Sequence, residues 1–497
     1  MKRKNVLILM SDEQSWDTLG CHGNPAAVTP NIDALAAGGI SMDRCYTPYP
    51  LCCPARASLW SGMMPHAHQV TGNWRSIRED LRDNGLATQF KQAGYHLIYT
   101  GKWHVPGTTP ARHGYDDISA IPAVIDGKDR GRFIEEYRDY AEAQGYELHP
   151  THIENLTHAD IRKLREKGKA PCGTSEIKLE HFLETWQTGK FLEAMERRPD
   201  GQPFFAVCSY NAPHFPLIVP EPYDRLIRPE DVKLPPNFMT GLERKPAEVV
   251  GSKFYKEMEG LDEKEWRRFI AHYLGLVALI DKQVGDIVDY LKRSGLYDDT
   301  VIVFLSDHGD MMGAHGLVKK GFPLHYEEAL RVPLVIANAG DAAKGSNRAL
   351  VSLIDLVPTL ADVCDVSIRQ PIDGRSFAAV LQGKAAEHRE SVIAETFKLG
   401  GDESAETGGE SVSPEQLNPE KDSFNVSIRN HRHKYVFRFK DIEELYDLDS
   451  DPYENENLAS DPACASALAH MRQTLLTELR ATSPYLAQLA ERKLLQV

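Results

Sequence analysis

The stretch "YPLCCPARASLWSG", Tyr49 to Gly62, carries a thiol to the threshold of a helix. Pro54 suits the first helical position, which predicts Cys53 as the N-cap and puts Cys52 just outside the N-terminus. Unpaired backbone N–H groups at such an end, with Arg56 one turn in, favour an anion. Two further clusters stand at the ends of apolar runs: Asp12 and Glu13 follow "NVLILM", and Asp307 and His308 follow "TVIVFLS". One acidic pair at a strand end ordinarily caps a helix or turns to solvent. Two pairs at equivalent strand ends point elsewhere, because oxygen ligands with one imidazole suit a hard or borderline divalent cation such as Ca²⁺, Mg²⁺ or Mn²⁺. Lys102 and His104 in "GKWH", His214 in "NAPHFPL" and Lys320 in "AHGLVKKG" add positive charge and proton carriers. Brought together, these four would surround a tetrahedral oxyanion.

The elements that must do the bringing together are legible as short apolar runs ending in polar sequence. "NVLILM", "YHLIYT", "PFFAVCSY" and "TVIVFLS" are apolar throughout, as strands buried on both faces of a mostly parallel sheet are. Helical patterns separate them. The clearest spans Trp266 to Leu291, where Tyr273, Leu276, Ile280, Val284, Ile287 and Leu291 recur every three or four residues and Gly295 ends the run. The alternation predicts a large α/β sheet, mixed but mostly parallel, sandwiched by helices. Ligands bind at the carboxyl ends of strands in such sheets, so the polar clusters should converge there.

Past about residue 375 the character changes. Gly400 to Asp422 is acidic and rich in Gly, Ser and Pro and reads as a mobile surface loop. "FNVSIRNHRHKYVFRF" alternates like strands of a small antiparallel sheet, and a helical tail begins near Pro462. This divides the chain into a catalytic unit, 1–375, and a C-terminal subdomain, 376–497. The charged stretch 120–200 reads as a helix-rich insertion beside the site.

A formal net charge of −15 opposes a nucleic-acid footprint, which needs a basic face. No stretch approaches the roughly 18 apolar residues of a membrane span. The apolar run in "MKRKNVLILM" is too short for a secretory signal and lacks a cleavage pattern, so it reads as a first strand and the protein as cytoplasmic. Eight cysteines form neither a disulfide framework nor a CxxC zinc pattern.

Taken jointly and in order, "SDEQSWDTLGCHGN", "LCCPARASLWSG", "TGKWHVP", "NAPHFPL", "SDHGDMMGAHGLVKKG" and "ELYDLDSDPYENENLA" resemble the sulfatase family of the alkaline-phosphatase superfamily across nearly the whole chain. The resemblance implies an alkaline-phosphatase-like fold and makes Cys52 of Cys-x-Pro-x-Arg the residue oxidised to Cα-formylglycine by a maturase. Cys53 then fills the tolerant position before Pro54. By the same resemblance Asp12, Glu13, Asp307 and His308 bind one divalent metal, Ca²⁺ by default with Mn²⁺ or Mg²⁺ as alternatives, and this metal also holds residue 52. Arg56 and Lys102 would hold the formylglycine hydrate, Lys102 and Lys320 the sulfate oxygens. His214 would protonate the leaving alcohol and His104 act as base. An aldehyde hydrate suits this task because one hydroxyl attacks sulfur and the other, deprotonated, expels sulfate by C–O cleavage.

Glu13 stands where the family usually has Asp or Gln, and His308 where many members have Asn. The implied activity is hydrolysis of a small sugar, aryl or alkyl sulfate, its leaving group read by loops in 105–200 and 215–265. The alternatives are a phosphonate monoester or phosphodiester hydrolase on the same scaffold and a non-catalytic anion-binding homologue; "GKWH" argues for sulfate esters. The expected partners are that ester and the maturase, with neither nucleic acid nor membrane, and a homo-oligomer left open.

Overall fold

The computed structural model describes residues 3–73, 75–121, 131–148, 158–240, 242–340, 344–400 and 410–495. Its strands are β1 (Asn5–Ser11), β2 (Ile40–Tyr46), β3 (His96–Lys102), β4 (Asp117–Ile121), β5 (Cys172–Thr174), β6 (Phe204–Ser209), β7 (Leu217–Val219), β8 (Thr300–Ser306), β9 (Arg331–Val332), β10 (Leu334–Ala337), β11 (Gly345–Ser352), β12 (Val392–Lys398), β13 (Ser423–Arg429), β14 (His433–Arg438) and β15 (Glu444–Asp447). Nine of them form one sheet in the order β11-β2-β10-β8-β1-β6-β3-β4, with β9 paired to β2. The four apolar runs of the sequence are its centre, β8-β1-β6-β3, all parallel. Antiparallel β10 makes the sheet mixed.

Side chains along β1 alternate between two cores, as the strand period of two requires. Leu7 and Leu9 pack with the helices Glu263–Arg293 and Leu183–Arg197; Val6, Ile8 and Met10 pack with the helices Cys52–Ser61 and Leu356–Val363. The sheet is therefore covered on both faces. Helix Glu263–Arg293 starts where the Asp262 side chain accepts the Glu265 N–H, and its predicted buried stripe is buried.

The strand β12 opens a second, four-stranded antiparallel sheet, β12-β13-β14-β15. The tail that covers it is two helices, Ala465–Thr482 and Pro484–Leu494, because Pro484 disfavours helical geometry at Ser483. Leu468, Met471, Leu475 and Leu479 pack there against Phe424, Val426 and Phe437. Two sequence readings fall partly outside the described residues: 401–409 of the acidic loop, and 122–130 and 149–157 of the insertion. No helix among the described residues is long and apolar enough to cross a membrane.

Candidate active site

Pairing register decides where the polar clusters end up. Ser11 is level with Ser306, Met10 with Ser209, and Gly101 with Ser209, so four parallel strands stop at one line. Asp12, Asp307, Tyr210 and Lys102 therefore leave the sheet side by side. Gly101 has φ +93°, and a Cβ there would sit 2.0 Å from Ser209 O, so only glycine permits β3 to turn Lys102 into this edge.

The helix carrying the two cysteines starts two residues earlier than the sequence expectation. It begins at Cys52 itself with Leu51 as N-cap, and its first bond runs from Ala55 N–H to Leu51 O. Pro54 is tolerated as the third residue because the first helical N–H groups have no intrahelical acceptor. All ten residues of this helix are buried. The Cys53 N–H is taken by Asn73 Oδ1 at 3.2 Å and its thiol lies 3.5 Å from Asn73 O, so that cysteine faces structure rather than the site.

Cys52 faces the strand ends. Its Sγ lies 3.1 Å from His308 Nε2 and 3.6 Å from Asp12 Oδ1. Burial first, and then the charge of Asp12, push the thiol up to about 12. A cysteine held this way is protonated at neutral pH and is a poor nucleophile as it stands.

The donors of Asp12, Cys52, Asp307 and His308 all lie within 4.8 Å of one another. The histidine is oriented for ligation: Nδ1 is 2.9 Å from Gly309 O, a pure acceptor, so Nδ1 carries the hydrogen and Nε2 presents its lone pair inward. Two buried carboxylates beside a lone-pair nitrogen fit a divalent cation in donor type and spacing. Glu13 lies outside this quartet and groups with Asp12 and His214. Its Oε2 accepts from Lys320 Nζ, and its buried Oε1 has no hydrogen-bond partner among the described residues. Burial drives the Glu13 carboxyl up to about 8 despite Lys320. Its φ of 67° is unfavourable for a side chain of this length, and neighbours hold it there: Tyr273 Oη donates to Glu13 O at 2.6 Å, and Gln14 N–H donates to Ser306 Oγ at 2.9 Å.

Arg56 is more committed than a free anion clamp. Its Nε donates to Asp307 Oδ2 at 2.7 Å, and Nη1 to Lys102 O at 2.6 Å and Ser209 Oγ at 2.8 Å. Only Nη2, 3.5 Å from Asp12 Oδ2, has no hydrogen bond among the described residues. Lys102 Nζ donates to Asp12 Oδ2, and although burial opposes its charge, Asp12 raises its pKa overall. Burial and the neighbouring Lys102 and Arg56 hold His104 well below the usual imidazole value, and its buried Nδ1 has no hydrogen-bond partner among the described residues. His214 Nδ1 donates to Phe215 O at 2.6 Å, leaving Nε2 3.4 Å from Glu13 Oε2; burial, Lys320 and Lys102 keep this ring neutral too.

All ten residues singled out from the sequence thus gather around one strand edge. Three that contribute were not: Ser209 and Ser306, polar residues hidden in apolar runs, and Tyr273, one member of a helical core stripe. Only the odd hydroxyl at the end of each strand run could have flagged the two serines.

The profile of the sulfatase family matches residues 4–366. An arylsulfatase of Clostridium perfringens is 28% identical over 96% of this chain and 94% of its own length. The multifunctional alkaline phosphatase superfamily protein PehA of Trinickia caryophylli is 31% identical over 96% and 95%. Among solved structures, a phosphonate monoester hydrolase from Silicibacter pomeroyi superposes with a TM-score of 0.78 at 23% identity, covering 97% of this chain and 96% of that one, and so shares the fold. Since the profile match takes in all nine strands of the large sheet and every strand end that feeds the site, the chain belongs to the sulfatase family.

Proposed function

We propose that this enzyme, a sulfuric ester hydrolase by family, cleaves sulfate esters of small organic molecules, with residue 52 acting as formylglycine and one divalent cation held by Asp12, Asp307 and His308 and completed by Glu13. Calcium is the first choice, manganese and magnesium the alternatives. The observation that carries the reading is the position of Cys52: an electrophile or nucleophile placed there is 3.1 Å from a ligating imidazole nitrogen and within 4.8 Å of both buried carboxylates. When present, formylglycine supplies a hydrated aldehyde as nucleophile and the cation neutralises the sulfate oxygens.

The chain's own residues then have separable tasks. Lys102 and Lys320, both pinned by carboxylates, supply fixed positive charge to the equatorial oxygens. Arg56 holds Asp307 and keeps Nη2 for residue 52. His104 is held neutral by burial and by the charges of Lys102 and Arg56, which leaves one ring nitrogen free to accept a proton. His214 donates Nδ1–H to Phe215 O, so Nε2 is the nitrogen left to face the leaving oxygen; it gives a proton there only from the charged ring, a form the anionic ester favours. We assign catalysis to 1–375, with 376–497 as the accessory subdomain, a formylglycine-generating maturase as partner, and a cytoplasmic location, where small imported esters are the accessible substrates.

The second reading is a phosphonate monoester or phosphodiester hydrolase on the same scaffold; a relative at 31% identity is described as multifunctional. Intact Cys52, Lys102, His104 and His214 speak against a non-catalytic homologue. The test is co-expression with a maturase, mass spectrometry of the residue 52 peptide, and kcat/KM for 4-nitrophenyl sulfate, alkyl and sugar sulfates, and a phenylphosphonate ester. Higher kcat/KM for the phosphonate than for every sulfate would replace the first reading with the second.

A further inference from the structure

Helix Leu183–Arg197 contributes no residue to the site, yet one face of it is polar where it should be core. Glu184, Gln187 and Thr188, spaced i, i+3 and i+4, are all buried and lie on one side of the helix. Each holds part of the segment leaving β6. Thr188 Oγ1 is 2.9 Å from Tyr210 Oη, Gln187 Nε2 donates to Ser209 O at 2.8 Å, and Glu184 Oε1 accepts the Ala212 N–H at 3.1 Å.

Glu184 is the unusual member. It is 3% exposed and pairs with no cation among the described residues; burial raises its carboxyl to about 7 against the pull of the Ala212 and Asn211 amides. A buried carboxylate without a counter-charge is costly, and an apolar residue would fill the same helix position more cheaply. What it secures is one residue with two consequences. Ala212 gives its N–H to Glu184, while its C=O accepts the Asp12 N–H at 3.2 Å. Two residues later the same turn, closed by His214 N–H to Asn211 O at 3.1 Å, delivers His214.

We infer that Glu184 is a positioning residue: by anchoring the Ala212 peptide it sets where His214 stands relative to Asp12 and the leaving oxygen. The inference rests on the reading of His214 as proton donor, so its test carries a readout independent of turnover. Poor leaving groups need that proton and 4-nitrophenolate does not. Glu184→Gln keeps an acceptor oxygen with the same shape; Glu184→Ala removes it and orphans the Ala212 N–H.

The experiment compares wild type, Glu184→Gln, Glu184→Ala and His214→Ala, converted and metal-loaded, on 4-nitrophenyl sulfate and on an alkyl sulfate. In parallel, the rate of His214 carbethoxylation by diethyl pyrocarbonate is followed by mass spectrometry. A positioning role predicts that Glu184→Ala loses roughly 10- to 100-fold on the alkyl ester, part of the roughly 10²- to 10⁴-fold that general acid catalysis supplies, and under about threefold on the nitrophenyl ester. Glu184→Gln should fall between, and His214 should react severalfold faster in Glu184→Ala. Equal losses on both esters, or no loss, with His214 reactivity unchanged in both variants, would overturn the inference. If wild type cleaves no sulfate ester, the functional reading fails instead, and the His214 modification rate alone decides the Glu184 anchor.

Discussion

Arg56 Nε donates to Asp307 Oδ2 at 2.7 Å with both side chains fully buried, tying the helix that carries Cys52 to the end of β8. Breaking a buried pair from one side leaves an uncompensated charge and costs about 3–5 kcal/mol. Arg56→Ala should therefore lower unfolding free energy by about that amount as well as activity. Arg56→Lys should not restore it, since a lysine cannot reach Asp307, Lys102 O and Ser209 together. Denaturant melts of the three proteins check this; a Lys variant as stable as wild type would contradict it.

Cys52→Ala should abolish turnover and leave the fold in place. The substitution removes one buried sulfur at the site edge, a loss on the order of 1 kcal/mol. Protein made without a maturase should behave alike, with a free thiol at residue 52 by mass spectrometry. Activity in a preparation showing only that thiol would refute the assignment.

Metal binding should follow the quartet. Wild type is expected to hold one divalent ion per chain by elemental analysis, while Asp12→Ala and Asp307→Ala should bind at least roughly 100-fold more weakly, since these changes strike the ligands themselves. Glu13→Ala should weaken binding less, because Glu13 Oε2 is engaged by Lys320. Stoichiometric metal in Asp12→Ala would rule the site out.

Lys102→Ala and His104→Ala should each reduce sulfate ester turnover by about 10²- to 10³-fold, the usual cost of one contact to developing charge. Their effect on phosphonate ester turnover, measured in the same preparations, decides whether "GKWH" distinguishes the two chemistries. Unchanged sulfate turnover would remove both residues from the mechanism.

The seam between the two sheets should be pH dependent. His66 Nδ1 lies 2.6 Å from Glu395 Oε1 on β12, and Nε2 3.1 Å from Thr482 O in the first tail helix. Burial disfavours the imidazolium, but Glu395 outweighs it and His66 is raised above 6.5. A raised pKa contributes stability that is fully present below the unfolded value and fades as pH rises through the folded one. The stability gap between wild type and His66→Gln should thus be largest near pH 5.5 and shrink by pH 8.5. A gap that grows with pH would reverse the assigned protonation.

By itself the sequence determined the central strands, because β8, β1, β6 and β3 are buried on both faces and must be continuously apolar. It also determined the long helix, whose stripe repeats at the helical period, and picked out the ten residues that the structure gathers at one sheet edge. It could not determine how those residues divide their work. Arg56 reads as an anion ligand one turn into a helix, yet in three dimensions most of its guanidinium braces Asp307, Lys102 O and Ser209. Glu13 reads as the twin of Asp12, yet its left-handed backbone turns the carboxylate to Lys320. Glu184 is one charge among many in the stretch 120–200, and becomes an anchor only because the segment leaving β6 passes beside it. These outcomes depend on which strand lies beside which and in what register, and contacts between residues hundreds of positions apart leave no local pattern. A two-residue period specifies burial; only the assembled sheet specifies neighbours.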